Sequence, residues 1–241
     1  MSGLGKSELT SPPVFHAHGD VGQWVAAAVA DTIAALRNDL DKTGRARLLV
    51  SGGTTPGPVY RALAKQPFDW AKVEIALVDE RWLPAGDPGS NAHLIRETLL
   101  TDHAAAARFQ PMITSNRNLD EAVRAANDAA APASVALLGM GPDGHTASLF
   151  PRMRGLADAL ASAADYVEVD ASGCSGAGPW SRRISLTPAG LAKTAVRILL
   201  IRGEQKRVVV QRVLEGADPG ELPIRMLFSL PGAPLQVHWC P

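Results

Sequence analysis

The feature that most constrains the fold of this chain is a regular alternation of short apolar runs with segments of helical periodicity. Apolar runs typical of buried strands occupy 47–51, 73–80, 134–140, 183–187, 196–203 and 235–240. Apolar residues at helical spacing occupy 20–43, 56–65, 90–101, 119–130 and 204–216. This order predicts an α/β fold in which a mainly parallel, Rossmann-like sheet is covered by helices on both faces.

Local capping signals mark the ends of two of these helices. Asp20 is placed to cap the start of the helix over 20–43, and Gly44 follows its last turn. The helix over 90–101 begins at Ser90 or Asn91, either of which can cap it.

Length and composition fit one soluble domain. A chain of 241 residues with 46% hydrophobic and 20% charged residues can bury a sizeable core. We expect a flexible tail at 1–13 and a single domain over 14–241. The 24 basic residues balance the 24 acidic ones, so we expect neither nucleic acid nor an anionic membrane as a partner.

The sequence shows no targeting signal and no cysteine framework. Segment 1–15 lacks the apolar core of a signal peptide, and the apolar run at 24–36 is too short to span a bilayer. Cys174 and Cys240 stand far apart without a C-x-x-C spacing, which favours free thiols in a reducing compartment. We therefore expect a cytoplasmic protein that is a monomer or a weak homodimer.

Polar sequences of unusual composition follow four of the predicted strands. In a parallel sheet the ligand site lies beyond the carboxyl ends of the strands. Those ends carry SGGTT (51–55), DER (79–81), GMGPDGH (139–145) and RGEQK (202–206). We expect the four sequences to form one site, with a flexible loop at 170–182 over it.

The SGGTT sequence suits an anion. Glycine lets backbone N–H groups approach a ligand closely, and the helix start that follows adds positive potential. The candidate anion ligands are therefore Ser51, Gly52, Gly53, Thr54 and Thr55. An ordinary strand-to-helix turn is the structural alternative. The spacing matches neither a Walker loop nor G-x-G-x-x-G, which argues against a dinucleotide cofactor.

The DER sequence places Asp79 and Arg81 at a strand end. A guanidinium can donate two hydrogen bonds to a phosphate or a carboxylate, so Arg81 is a second candidate anion ligand. A surface ion pair is the alternative. Asn91 and His93, at the start of the next helix, can face the same cleft.

The GPDGH sequence holds the main candidate for acid–base chemistry. A histidine side chain titrates near neutral pH, so His145 can act as a general base. Asp143 can orient its ring, and Gly144 permits a sharp loop; a hydrogen-bonded structural role is the alternative for His145. No second ligand stands at a recognised metal spacing from His145, so no metal is expected. We interpret His16 and His18 as surface residues.

Further cations complete the candidate site. Lys206 opens a predicted helix, where its charge opposes the helix dipole unless an anion is held there. Arg183 lies in another predicted strand, and the sequence does not decide whether Arg81, Arg183 or Lys206 dominates anion binding. A nucleophilic serine is not expected, because the G-x-S-x-G sequence is missing and Ser148 stands in no comparable context.

Five motifs, in this order, resemble those of the 6-phosphogluconolactonase family: 51–63, 78–100, 137–151, 183–191 and 202–214. The resemblance implies a three-layer α/β sandwich shared with the glucosamine-6-phosphate deaminases, and a single catalytic domain over 14–241. It also implies hydrolysis of 6-phospho-D-glucono-1,5-lactone to 6-phospho-D-gluconate, the second step of the oxidative pentose phosphate pathway. The reaction implied needs no organic cofactor.

Water must attack the lactone carbonyl in such a reaction. We expect His145 to take a proton from this water, with Asp143 fixing the ring or the loop. Arg81 or loop N–H groups can stabilise the carbonyl oxygen, and the sequence does not choose between them. The substrate phosphate is expected at 52–55, together with Lys206.

Two alternative functions remain open. The deaminases resemble DGH followed by F-N-E-P, whereas TASLFP follows His145 here and supplies no glutamate. A non-catalytic sugar-phosphate sensor would keep the anion ligands and would need no base. The chain also departs from the lactonase pattern at Pro142, where the family often has an acid, and at Arg152, where glycine is common.

Overall fold

The computed structural model describes residues 11–84, 86–114 and 118–241. Most of the expected N-terminal tail, residues 1–10, lies outside the described residues. The first strand, β1, begins at Val14.

The main sheet of the described chain contains seven parallel strands. In spatial order they are β1 (Val14–Ala17), β10 (Gln236–Cys240), β9 (Thr194–Arg202), β6 (Ala133–Leu138), β2 (Ala46–Val50), β3 (Val73–Leu77) and β5 (Arg108–Gln110). A second, antiparallel sheet consists of β4 (Asp79–Arg81), β8 (Arg182–Leu186) and β7 (Tyr166–Asp170).

Eight α-helices connect these strands within the described residues. They are α1 (Val21–Thr43), α2 (Gly57–Ala64), α3 (Asn91–Thr98), α4 (Leu119–Asp128), α5 (Leu156–Ala161), α6 (Pro188–Ala192), α7 (Glu204–Leu214) and α8 (Arg225–Phe228). The expected fold class, a three-layer α/β sandwich with a mainly parallel, Rossmann-like sheet, is confirmed. None of the helices among the described residues is both long and apolar enough to cross a membrane.

Helix α1 shows how local sequence sets element boundaries. The Asp20 carboxylate accepts a hydrogen bond from the backbone N–H of Gln23 at 2.8 Å, which satisfies one of the free donors of the first turn. Gly44 ends the helix in the left-handed region, with φ of 74°, and its N–H donates to the carbonyl of Leu40. Both predicted caps are confirmed.

The prediction of one strand over 73–80 is wrong. Strand β3 of the main sheet ends at Leu77, and Asp79 begins β4, which pairs antiparallel with β8. Val78 is the crossing point, because its N–H donates to Val50 of the main sheet while its carbonyl accepts from Leu186 of the small sheet. The run at 183–187 likewise belongs to the small sheet as β8. Both segments are buried and apolar, so periodicity cannot assign them to a sheet.

Several short elements were not predicted: β1, β5, β7, α5, α6 and α8. Each has six residues or fewer, too few to establish a period. The last strand in the chain, β10, is internal, because it lies between β1 and β9.

One contiguous core joins the two sheets. Buried residues of the main sheet, such as Leu199, belong to the same apolar cluster as Tyr166 and Ile184 of the small sheet. The small sheet therefore packs as part of the same body, and its strands β4 and β8 lie next to the carboxyl end of the main sheet.

Candidate active site

The four polar strand ends meet at one cavity of about 210 Å³. Apart from Asp143, Gly144 and His93, the predicted site residues all line this cavity: Ser51, Gly52, Gly53, Thr54, Thr55, Asp79, Arg81, Asn91, His145, Arg183 and Lys206. Residues that the sequence did not single out also contribute to the wall, among them Met140, Ala147 and Gly176. The cavity lies where a parallel sheet is expected to bind its ligand.

His145 and Asp143 form a hydrogen-bonded pair at this cavity. Nδ1 of His145 lies 2.6 Å from Oδ1 of Asp143, and the backbone N–H of His145 also donates to that oxygen. Partial burial raises the pKa of Asp143, but the hydrogen bonds and charge of His145 outweigh it and leave this pKa below its usual value. In the neutral tautomer in which the carboxylate accepts the Nδ1 proton, Nε2 of His145 carries the lone pair.

The loop before His145 fixes the position of the ring. Gly144 has φ of 85°, a conformation that favours glycine, and packs against Leu222 rather than lining the cavity. The His145 ring lies 4.4 Å from the ring of Phe150. Gly144 therefore shapes the loop that carries His145, as its place in the sequence led us to expect.

One corner of the cavity is suited to an anion. Nζ of Lys206 lies 3.2 Å from Oγ1 of Thr55, and burial lowers the pKa of this lysine. Oγ of Ser51 is buried and has no hydrogen-bond partner among the described residues. A Cβ on Gly52 would lie 2.0 Å from Oδ1 of Asn91, so only glycine allows the backbone to approach this closely.

The two arginines are held by loops around the cavity. Nη1 of Arg81 donates to the carbonyl of Gly89 at 2.5 Å, and its guanidinium lies 5.2 Å from the ring centre of Trp180. Arg183 is buried, and it donates from Nε to the carbonyl of Trp180 and from Nη2 to that of Ala177. Burial lowers the pKa of Arg183, an effect that the charge of Asp79 opposes. The loop at 170–182 thus packs directly on the candidate site.

Asp79 is buried in a hydrogen-bonded group. Its Oδ2 accepts from Oγ of Ser148 at 2.5 Å, and its Oδ1 accepts from Nδ2 of Asn91 at 3.2 Å. Ser148 is fully buried, and this bond engages its hydroxyl. Sequence reasoning missed the contact of Ser148 with Asp79.

Glu80 is a second residue whose role the sequence did not reveal. It is 1% exposed and accepts hydrogen bonds from the backbone N–H groups of Arg81, Asn91 and Ala92. Burial raises its pKa to about 7, against the effect of these bonds. Asn91 and Ala92 begin helix α3, and Ser90 caps this helix, since its Oγ accepts a hydrogen bond from the N–H of His93. Glu80 stands eleven positions before Asn91, so no local pattern indicated this contact.

The interpretation of His16 and His18 as plain surface residues is incomplete. Both are half-buried, and their rings stack with the buried ring of His238 at 4.5 Å and 5.3 Å. His238 lies more than 200 positions away in sequence, so no local pattern could place it there.

Comparison with known proteins gives consistent matches over nearly the whole chain. A family model described as glucosamine-6-phosphate isomerases/6-phosphogluconolactonase matches residues 20–239. The 6-phosphogluconolactonase of Xylella fastidiosa (strain 9a5c) is 46% identical over 226 residues, which cover 92% of this chain and 94% of that protein. The 6-phosphogluconolactonase of Pseudomonas putida is 37% identical over 246 residues, covering 99% and 98%. The crystal structure of a 6-phosphogluconolactonase from Shewanella baltica superimposes with a TM-score of 0.87 at 30% identity, covering 97% of this chain and 100% of that one.

Proposed function

Because the chain belongs to the glucosamine-6-phosphate isomerase and 6-phosphogluconolactonase family, we propose that it hydrolyses 6-phospho-D-glucono-1,5-lactone to 6-phospho-D-gluconate. This is the second step of the oxidative pentose phosphate pathway. The observation that carries the proposal is the His145–Asp143 pair at a cavity that cations line.

The pair supplies the base that lactone hydrolysis needs. Asp143 holds the proton on Nδ1 of His145, so Nε2 accepts a proton from water as the oxygen attacks the lactone carbonyl. The attack forms a tetrahedral intermediate with a negatively charged oxygen. Collapse of this intermediate breaks the ring C–O bond, and the proton passes from His145 to the leaving ring oxygen.

Charge around the cavity suits both the phosphate and the developing oxyanion. Of the described residues, three cationic side chains line the cavity, Arg81, Arg183 and Lys206, against one carboxylate, Asp79. Lys206 with the 52–55 loop forms the phosphate subsite. Arg183 already donates to two backbone carbonyls, whereas Nε of Arg81 has no hydrogen-bond partner among the described residues. We therefore assign oxyanion stabilisation to Arg81.

A deaminase reaction is less well supported. It must move protons at C2 and expel an amine, so it needs carboxylates beside the histidine. Among the described residues, Asp79 is the single carboxylate that lines the cavity, and both of its oxygens accept hydrogen bonds. The segment after His145 carries no acid before Arg152.

The direct test compares two activities of the purified chain. We expect it to open 6-phosphogluconolactone faster than buffer alone, after subtraction of spontaneous opening, and to release no ammonia from glucosamine 6-phosphate. Ammonia release without enzymatic lactone opening would replace the lactonase by the deaminase. Binding of the lactone without turnover, measured by calorimetry, would favour a sensor.

Substitution of the pair tests its roles separately. His145→Ala removes the base, so kcat should fall by about 10²–10⁴-fold while product affinity stays nearly intact. Asp143→Asn should lower kcat by a smaller factor, because an amide still hydrogen-bonds but does not fix the tautomer. His103→Ala, which replaces an exposed histidine, is the matched control. Near-normal kcat in His145→Ala would leave His145 a structural residue.

The proposal extends to the setting of the enzyme. It includes a single catalytic domain over 14–241, a cytoplasmic location, and a monomer or weak homodimer. Both cysteines are free, which supports a reducing compartment. Light scattering at several protein concentrations measures the oligomeric state directly.

A further inference from the structure

Three histidines form a cluster between the edge of the main sheet and helix α1, outside the candidate active site. His16 lies on β1 and His18 directly follows its last residue, Ala17, so the two-residue spacing of an extended chain places both side chains on the same face. His16 is the register partner of His238 on the adjacent strand β10. The ring centres of His16 and His238 are 4.5 Å apart, and those of His18 and His238 are 5.3 Å apart.

An acidic side chain from the helix completes this cluster. Oδ2 of Asp31, on α1, lies 3.0 Å from Nε2 of His238. The His238 side chain is 1% exposed, so Nε2 faces this carboxylate from inside the protein. One ring nitrogen from each of His16 and His238 and one carboxylate oxygen of Asp31 lie within 4.8 Å of one another. Three atoms of metal-ligating types therefore converge at one place.

We propose that His16, Asp31 and His238 bind a divalent transition-metal ion of the Zn²⁺ type. Two imidazoles and one carboxylate are ligands that Zn²⁺ takes, with water as the fourth ligand. Zn²⁺ at about 2.1 Å from each ligand needs donor atoms roughly 3.4 Å apart. The ligand atoms of this cluster lie within 4.8 Å of one another, so they must move closer together to hold the ion. His16 is half-buried and Asp31 is 45% exposed, so both side chains have room to rotate.

The neighbouring groups orient the two rings as metal ligands require. Nε2 of His16 lies 2.9 Å from the carbonyl oxygen of the Gln236 side chain, which can only accept, so Nδ1 of His16 keeps its lone pair. Nδ1 of His238 lies 3.2 Å from Nε2 of His18. With a metal ion on Nε2, His238 would donate its Nδ1 proton to His18. Hydrogen bonds of this kind on the second ring nitrogen usually accompany metal-bound histidines.

None of His16, Asp31 and His238 lines the candidate catalytic cavity. The ion would join β1, β10 and α1 and would therefore act on stability rather than on lactone hydrolysis.

The test is calorimetric titration of the metal-free full chain with Zn²⁺. Asp31→Asn and His16→Ala should each weaken the binding of one Zn²⁺ equivalent by at least about tenfold, whereas His103→Ala should leave it unchanged. Asp31 and His16 are chosen because they are not fully buried, so their replacement spares the core. Zn²⁺ binding of equal affinity and stoichiometry in the wild type and both variants would place any metal elsewhere, for instance at His145 or a cysteine, and would overturn the proposal.

Two further readouts separate ligation from a merely structural effect. Co²⁺ should give the visible absorption bands of a low-coordinate site in the wild type, and these bands should be lost in Asp31→Asn. Zn²⁺ should raise the Tm of the wild type and of His103→Ala, but not that of Asp31→Asn. Lactone hydrolysis at saturating substrate should be the same with and without Zn²⁺. A Tm rise of equal size in Asp31→Asn would contradict the assignment.

Discussion

At the scale of single residues, Lys206 occupies a position that is unfavourable for a cation unless an anion is bound beside it. Its place in the first turn of α7 is unfavourable for a cation in isolation. Its partial burial, which lowers its pKa, adds a further cost to the charged form. A bound phosphate would offset both costs, and Nζ already lies beside Thr55 of the glycine-rich loop.

We therefore expect Lys206→Ala to raise KM for the phosphorylated lactone by about ten- to a hundredfold, the equivalent of about 1.5–3 kcal/mol for one charge-assisted contact. Hydrolysis of the unphosphorylated lactone should be insensitive to the change. Lys72→Ala, at an exposed lysine paired with Asp69, is the control. Steady-state kinetics on both lactones tests this prediction. An equal loss of activity on the two lactones would mean that Lys206 does not contact the phosphate.

Arg152 stands where glycine is common in the family, and its backbone is strained there. It has φ of 58°, in the left-handed region that glycine occupies without strain. The resemblance to the family places a glycine there, and the backbone shows why. The guanidinium lies 3.3 Å from Glu221, an exposed pair that contributes little.

At the scale of elements, the loop at 170–182 lies close to the His145–Asp143 pair at Gly176. A Cβ at this position would lie 2.6 Å from Oδ2 of Asp143 and 3.1 Å from Nδ1 of His145. Gly176→Ala should therefore displace the loop or the pair and lower kcat by about ten- to a hundredfold, with little change in Tm because the residue is exposed.

The matched control for Gly176→Ala is Gly86→Ala, since a Cβ on Gly86 would meet nothing within 4 Å. Comparison of kcat and Tm for the two variants isolates the contact with the pair. A Gly176→Ala enzyme with wild-type kcat would show that the loop yields without disturbing Asp143.

The start of α3 carries a pH-dependent contribution to stability. Burial raises the pKa of Glu80 to about 7 from an ordinary value of 4.5. Between these two values the folded state holds a proton that the unfolded state has lost. The stabilisation is therefore fully present below about pH 4.5 and is lost as the pH rises to about 7.

We expect the free energy of unfolding of the wild type, relative to Glu80→Gln, to fall by up to about 3 kcal/mol over this pH window. Urea unfolding at closely spaced pH values measures this difference. Glu97→Gln, at an exposed position on the same helix, should show no such trend. A pH-independent difference for Glu80→Gln would mean that the three backbone hydrogen bonds keep the carboxylate ionised.

At the scale of the whole molecule, one core joins the small sheet to the main sheet. We therefore expect one cooperative thermal transition, with an enthalpy on the order of 150 kcal/mol near 60 °C. Ile184→Ala in the small sheet and Leu199→Ala in the main sheet should each cost about 2–5 kcal/mol and shift that same transition. Scanning calorimetry with tryptophan fluorescence and circular dichroism makes the comparison. Two separate transitions, with Ile184→Ala shifting only one of them, would show that the two sheets unfold as independent units.

Much of the candidate site could be predicted because its signals are local. Glycines, hydroxyls and charges directly follow apolar strands, and parallel strands bring their carboxyl ends to one edge, so 51–55, 79–81 and 139–145 had to meet. The helix caps at Asp20 and Gly44 were equally local. The pairing of Ser148 with Asp79 was not, because it joins residues 69 positions apart and depends on the turn after His145.

The sequence by itself determined the α/β class, the boundaries of the longer helices and the residues at the strand ends, because periodicity, caps and loops act within a few residues. Tertiary structure alone decided that β4 and β8 leave the main sheet, that β10 enters its interior, and that His16 and Asp31 meet His238. These outcomes depend on which buried surfaces pack together. A run of apolar residues satisfies burial in either sheet, so the choice belongs to the whole fold rather than to the run.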